Sequence, residues 1–262
     1  MAAKPPTPDW ETTDASPPLG EGSVHLWRIF LGALDSAEEP GVLDASELER
    51  ARRLRFAEHR ARFVIGRTAL RQILARYVGC PPEALRYTVD PRGKPSLQRG
   101  AAGVSLPDFN TSRSGEWSLL AISRGAPVGV DIEAVRPSKD WPLVAERHFT
   151  AAERQGLEAL SASHRTDGFF HIWTQKEALA KATGEGIPEA LSRYEVEPNP
   201  QKPAGFRVVE ARDEGGKAAP MAWKLLSFEP YAGYRAAICV GPAQTLTHWL
   251  EAGPALGKPL RR

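Results

Sequence analysis

Apolar and polar positions change rhythm several times along the chain. An apolar run over residues 24–31 predicts a first strand. Asp44-Ala45-Ser46-Glu47 has capping-box spacing and predicts a helix with Asp44 as its N-cap. Phe63, Leu70, Ile73, Leu74 and Tyr77 recur at helical spacing, and Gly79 with Pro81-Pro82 stops this second helix. Short runs at 87–89, 109–112, 117–123 and 128–133, joined by Gly-containing turns, predict strands. Thr150-Ala151-Ala152-Glu153 is a second capping box, opening a helix to about residue 160. Residues 169–183 contain neither Gly nor Pro and end at Gly184, which predicts a further helix. Strands are expected again at 194–197, 206–210, 223–228 and 234–240, and residues 253–262 read as loose.

This order predicts an α+β (two-layer α/β) fold in which one plan, a small sheet with helices, is used twice. The halves would meet near residues 125–129. Residues 1–20 hold five prolines and few core formers, so a disordered tail is expected there. That leaves residues 21–128 and 129–262 as two subdomains.

Composition narrows the function classes. The chain has 262 residues, of which 42% are hydrophobic and 25% charged, so wholesale disorder is excluded. No segment reaches the roughly 20 apolar residues of a membrane span, and no signal-peptide layout is found, so the expected location is cytoplasmic. Cys80 and Cys239 match no zinc spacing and read as free thiols of a reducing compartment. A net charge of +2 argues against a strongly basic nucleic-acid binder. Yet 25 of the 34 basic residues are Arg, the better bidentate phosphate ligand.

Four constellations could carry chemistry. In Gly129-Val130-Asp131-Ile132-Glu133, a strand would put two carboxylates on one face, an arrangement that wants a cation or a proton between them. Magnesium held by protein oxygens and substrate phosphates is one solution, and two solvated acids at a strand end are the alternative. Trp173, Glu177 and Lys181 are four apart and share one helix face, either as a surface ion pair or, given the apolar neighbours, as a partly buried one. Residues 50–76 carry nine arginines against the single acid Glu58. Within the run they cannot satisfy one another, so anionic partners such as phosphate are expected unless the face is simply solvated. Lys94 after a turn Gly, and Ser112-Arg113-Ser114 where a strand ends, could hold a phosphate or form a plain hairpin.

Taken in order, these pieces resemble the surfactin-type 4′-phosphopantetheinyl transferases. That family has a basic helical segment, G-K-P, F-N-x-S-H-S, G-(V/I)-D-(I/V)-E and W-(S/T)-x-K-E-A-x-x-K-x-x-G-x-G. Here they stand as residues 50–76, Gly93-Lys94-Pro95, Phe109 to Ser114, Gly129 to Glu133 and Trp173 to Gly186. The resemblance implies two similar halves about a pseudo-twofold axis, each a mainly antiparallel sheet on helices, in a monomer. It implies transfer of the phosphopantetheine arm of coenzyme A to a serine of an apo acyl, peptidyl or aryl carrier protein. Asp131, Glu133 and Glu177 would hold Mg²⁺, with Glu177 the base and Lys181 neutralising charge on the phosphates. Arg52, Arg62, Lys94, Ser112, Arg113 and Lys181 would grip coenzyme A. One departure is plain: Arg113 stands where the family has His. It is a permanent cation that can bind the same phosphate without the pH sensitivity of His. Two rival readings of the same residues are a magnesium-dependent phosphodiester hydrolase on nucleic acid and a non-catalytic relative that has lost coenzyme A affinity.

Overall fold

The computed structural model describes residues 8–32, 41–98, 106–137, 140–185, 193–202, 205–212, 218–253 and 256. The order is β1 (Glu11–Thr13), β2 (Ser23–Phe30), α1 (Ala45–Arg53), α2 (Ala57–Val78), β3 (Tyr87–Val89), β4 (Pro95–Leu97), β5 (Asp108–Ser114), β6 (Trp117–Ser123) and β7 (Val128–Ala134). It continues with α3 (Trp141–His148), α4 (Ala151–Glu158), α5 (Ala162–Thr183), β8 (Arg207–Arg212), β9 (Ala218–Phe228), β10 (Tyr234–Val240) and β11 (Thr245–Ala252).

The fold is α+β and has two similar halves. A five-stranded sheet runs β1-β11-β2-β6-β5, and a four-stranded antiparallel sheet runs β7-β10-β9-β8. Each sheet has a 22-residue helix on one face, α2 on the first and α5 on the second. Strand alternation sorts the side chains. Trp27 and Ile29 of β2 with Leu120 and Ile122 of β6 pack beneath Ile65, Ala69 and Ile73 of α2. The other faces share one core: Val24, Leu26, Leu119 and Ala121 of the first sheet meet Val130, Ile132, Leu226 and Ile238 of the second. Because Val128, Val130 and Ile132 face that core, Gly129, Asp131 and Glu133 face α5.

Both predicted capping boxes form. The Asp44 and Thr150 side chains accept from the Glu47 and Glu153 amides, and each Glu reaches back to its cap. Helix α5 begins at Ala162, seven residues before the expected start, and runs through Gly168. A Cβ on Gly168 would lie 2.5 Å from Leu160 Cδ1 and 2.9 Å from Leu157 Cδ1 of α4, so the glycine lets these two leucines pack closely on α5.

Three expectations are corrected. Within the supposed tail, residues 11–13 form β1, which pairs parallel with β11, and Trp10 packs edge-on against Trp249 at 5.2 Å. The rest of the predicted tail, residues 1–7, lies outside the described residues. Strand β11 leaves the second half and inserts between β1 and β2, so residues 129–262 do not form one continuous half. Residues 194–197 are not a strand. Their backbone is held instead by side chains: Lys176 donates to Tyr194 O at 2.9 Å, and Val196 N donates to Glu153 Oε1 at 2.9 Å. Of the loose segment at 253–262, Gly253 and Leu256 are described, and Leu256 packs into the first core.

Candidate active site

The site lies where β5, β7 and α5 converge. Helix α5 crosses β7 at Gly129, where a Cβ would sit 2.0 Å from Ala178 O and 2.5 Å from Ala182 N. Only a glycine admits this approach, which brings Glu177 and Lys181 beside Asp131 and Glu133. Lys181 Nζ donates to Asp131 Oδ1 at 2.7 Å, and to Val130 O and Ser112 Oγ at 3.2 Å each. Ser112 Oγ donates to Asp131 Oδ1 and Ser114 Oγ to Glu133 Oε2, both at 2.7 Å. Asp131 Oδ2 is buried and accepts no hydrogen bond.

The electrostatics are those of crowded acids. Burial, then the Asp131 charge, pushes the Glu177 carboxyl up to about 7; Lys181 opposes and Glu133 adds to the rise. Burial also raises Glu133, partly offset by its hydrogen bond from Ser114. Among the described residues no three His, Cys, Asp or Glu side chains are arranged as ligands of one ion. Lys181 and the two serines take carboxylate oxygens in this structure. The donor set nonetheless suits a divalent cation: two acids raised by burial and by the Asp131 charge, and an orphaned carboxylate oxygen, all from hard oxygen donors.

Beside these acids is a cavity of 330 Å³ lined by Arg50, Phe63, Arg67, Leu70, Ser112 and Arg113 among others. The guanidinium groups of Arg50 and Arg113 lie over the Phe63 ring, 5.5 and 5.8 Å from its centroid. Burial, then repulsion from Arg50 and Arg67, lowers the Arg113 pKa from its ordinary value. Clustered cations against an aromatic floor are suited to an anion.

The predicted residues separate into groups. Asp131, Glu133, Glu177, Lys181 and Ser112 are brought together, and Arg113 lines the adjoining cavity with Ser112. Lys94 turns elsewhere: its Nζ donates to Lys181 O at 2.5 Å, at the C-terminal end of α5, where Arg92 also donates to Gly184 O. Arg62 pairs with Glu58 at 2.5 Å and Glu116 at 3.5 Å. Arg52 is exposed on α1 and does not line the cavity. Gly186 lies outside the described residues.

The arginine run needs less phosphate than its local charge suggested, because acids arrive from outside it. Buried Arg71 binds Asp44 and Glu47 at 2.6 Å each, Arg67 binds Glu47 at 2.5 Å, and Arg53 pairs with Glu49. Arg50, Arg67 and Phe63 were missed as cavity residues. They come from two helices at no telling spacing, and only the excess of Arg hinted at them.

Similarity to known proteins agrees with this architecture. Residues 37–125 match the model of the 4′-phosphopantetheinyl transferase N-terminal region, and residues 127–239 match that of the 4′-phosphopantetheinyl transferase superfamily. The chain is 37% identical over 219 residues to 4′-phosphopantetheinyl transferase HetI of Nostoc sp. (strain PCC 7120), covering 83% of this chain and 87% of the relative. It is 31% identical over 198 residues to 4′-phosphopantetheinyl transferase psf-1 of Bacillus pumilus, covering 76% and 78%. With 4′-phosphopantetheinyl transferase Sfp of Bacillus subtilis (strain 168), identity is 28% over 222 residues, covering 82% and 92%. Two matched regions divide where the two halves meet, and the chain belongs to the 4′-phosphopantetheinyl transferase superfamily.

Proposed function

We propose that the protein transfers the phosphopantetheine arm of coenzyme A to a serine of an apo carrier protein with the help of Mg²⁺. The observation that carries this reading is Glu177, a carboxyl raised to about 7 beside two further acids and a lysine, next to an arginine-lined cavity. A serine hydroxyl is a weak nucleophile at neutral pH and needs a base. Glu177 is suited to take its proton as the serine oxygen bonds to phosphorus. The bond from that phosphorus to the oxygen of the leaving adenosine 3′,5′-bisphosphate breaks in the same event. The Lys181 ammonium sits where it can balance charge on the departing phosphate. Arg113 and Arg50 are suited to a terminal phosphate, and Phe63 offers an apolar face beneath it. Asp131, Glu133 and Glu177 would hold the magnesium, which when bound supplies charge to the pyrophosphate oxygens.

The test is a mass measurement. Apo carrier incubated with the protein, coenzyme A and Mg²⁺ gains the mass of one phosphopantetheine arm. No gain across acyl and peptidyl carriers overturns the reading.

A further inference from the structure

Strands β5 and β7 are edges of different sheets, and no backbone ladder joins them: β5 pairs with β6, and β7 with β10. Side chains of β5 make the joint. Asn110 Oδ1 accepts from Val130 N at 2.9 Å. Ser112 Oγ donates to Asp131 and Ser114 Oγ to Glu133, and Ser114 Oγ also accepts from Ala134 N at 3.1 Å. Ser112 and Ser114 are two apart on β5, as are Asp131 and Glu133 on β7, so the two serine rungs stay in register.

A hydroxyl that donates to one carboxylate oxygen fixes the rotation of the whole group and leaves the other oxygen directed elsewhere. At Asp131 that other oxygen is the buried, unpartnered Oδ2. Ser114 is itself buried, with 8% of its surface exposed, so water competes poorly for its bond to Glu133.

We infer that Ser112 and Ser114 are positioning residues whose rungs on Asp131 and Glu133 preset these acids for a divalent cation. Docking of the first half against the second thereby sets the metal affinity. This rests on the proposed metal-binding acids. Partners that orient metal ligands typically govern affinity by about 10–100-fold.

The experiment is a titration of Mn²⁺, standing in for Mg²⁺, into the full-length protein saturated with coenzyme A. Loss of the free-ion paramagnetic resonance signal reports binding without turnover. Ser114→Ala is expected to raise the half-saturating Mn²⁺ concentration by about tenfold or more. Ser114→Thr, which keeps the hydroxyl, is expected to stay close to wild type. Ser112→Ala removes the other rung and serves if Ser114→Ala does not fold. A purely structural joint would lower the melting temperature of the alanine variants and leave their half-saturation at the wild-type value. That result overturns the inference. Failure of the wild type itself to bind Mn²⁺ overturns the metal reading, and the inference with it.

Discussion

Helices α2 and α5 are both 22 residues long, both lie on a sheet, and both carry buried charge. They use it in opposite ways. The Arg71 side chain of α2 has no exposed surface, yet it donates to Asp44, Glu47, Pro82 O and Leu85 O. This network ties α2 to α1 and to residues 82–85. On α5, Glu177 is 8% exposed and held near other acids, with a carboxyl raised to about 7. Satisfied burial builds a fold, whereas unsatisfied burial stores the differential interactions a site can use. Helix α5 also contains the contrast within itself. Lys176 and Glu153, both without exposed surface, pair at 2.9 Å one residue from Glu177.

The largest expected effect that would sharpen this contrast is Arg71→Met. It leaves buried Glu47 with Arg67 alone and Pro82 O and Leu85 O without their donor, and should cost about 3 kcal/mol in denaturant unfolding. A loss near zero would break the assignment of α2 as a structural helix. Next is Gly129→Ala, whose methyl would meet α5 backbone that cannot swing away. A loss of about 1–3 kcal/mol is expected by thermal unfolding, together with a fall in activity as Glu177 and Lys181 shift.

Stability should also depend on pH. Burial, aided by His248 for His25 and by Arg235 for His171, lowers both imidazoles from 6.5 to about 4. Their folded pKa lies below the unfolded one, so the folded state holds fewer protons between these values. Stability is therefore complete above about pH 6.5 and falls as the pH drops towards 4, by up to ~3 kcal/mol per histidine. Equilibrium unfolding at several pH values measures this, and His171→Gln should flatten the slope. The smallest effect concerns Arg113. Arg113→His should bind coenzyme A nearly as well at pH 6 and several-fold more weakly at pH 8, where imidazole is neutral. Comparing KM at the two pH values checks it, and a pH-independent KM in the variant would contradict a phosphate contact.

Local signals were readable in the sequence. Both capping boxes, the strand holding Asp131 and Glu133, and the face joining Glu177 to Lys181 rest on spacings of two to four residues. Distant pairing was not readable. Strand β1 lies in proline-rich sequence and finds its partner at Leu250 to Ala252. Strand β11 has a register shift between Leu246 and His248 that breaks its alternation. Arg71 looked unpaired because its acids lie 24 and 27 residues upstream. Nothing local shows that Lys94, on a hairpin of the first half, reaches the end of α5.

The contrast between the two helices is tested most directly by Glu177→Gln, through the single-turnover rate of carrier mass gain at saturating coenzyme A. Removing a buried acid that is held above its ordinary range should leave the melting temperature unchanged or higher. The chemical step should slow by at least ~10²-fold. A folded variant that modifies the carrier at a near-normal rate would remove Glu177 from the reaction and contradict the division of roles between α2 and α5.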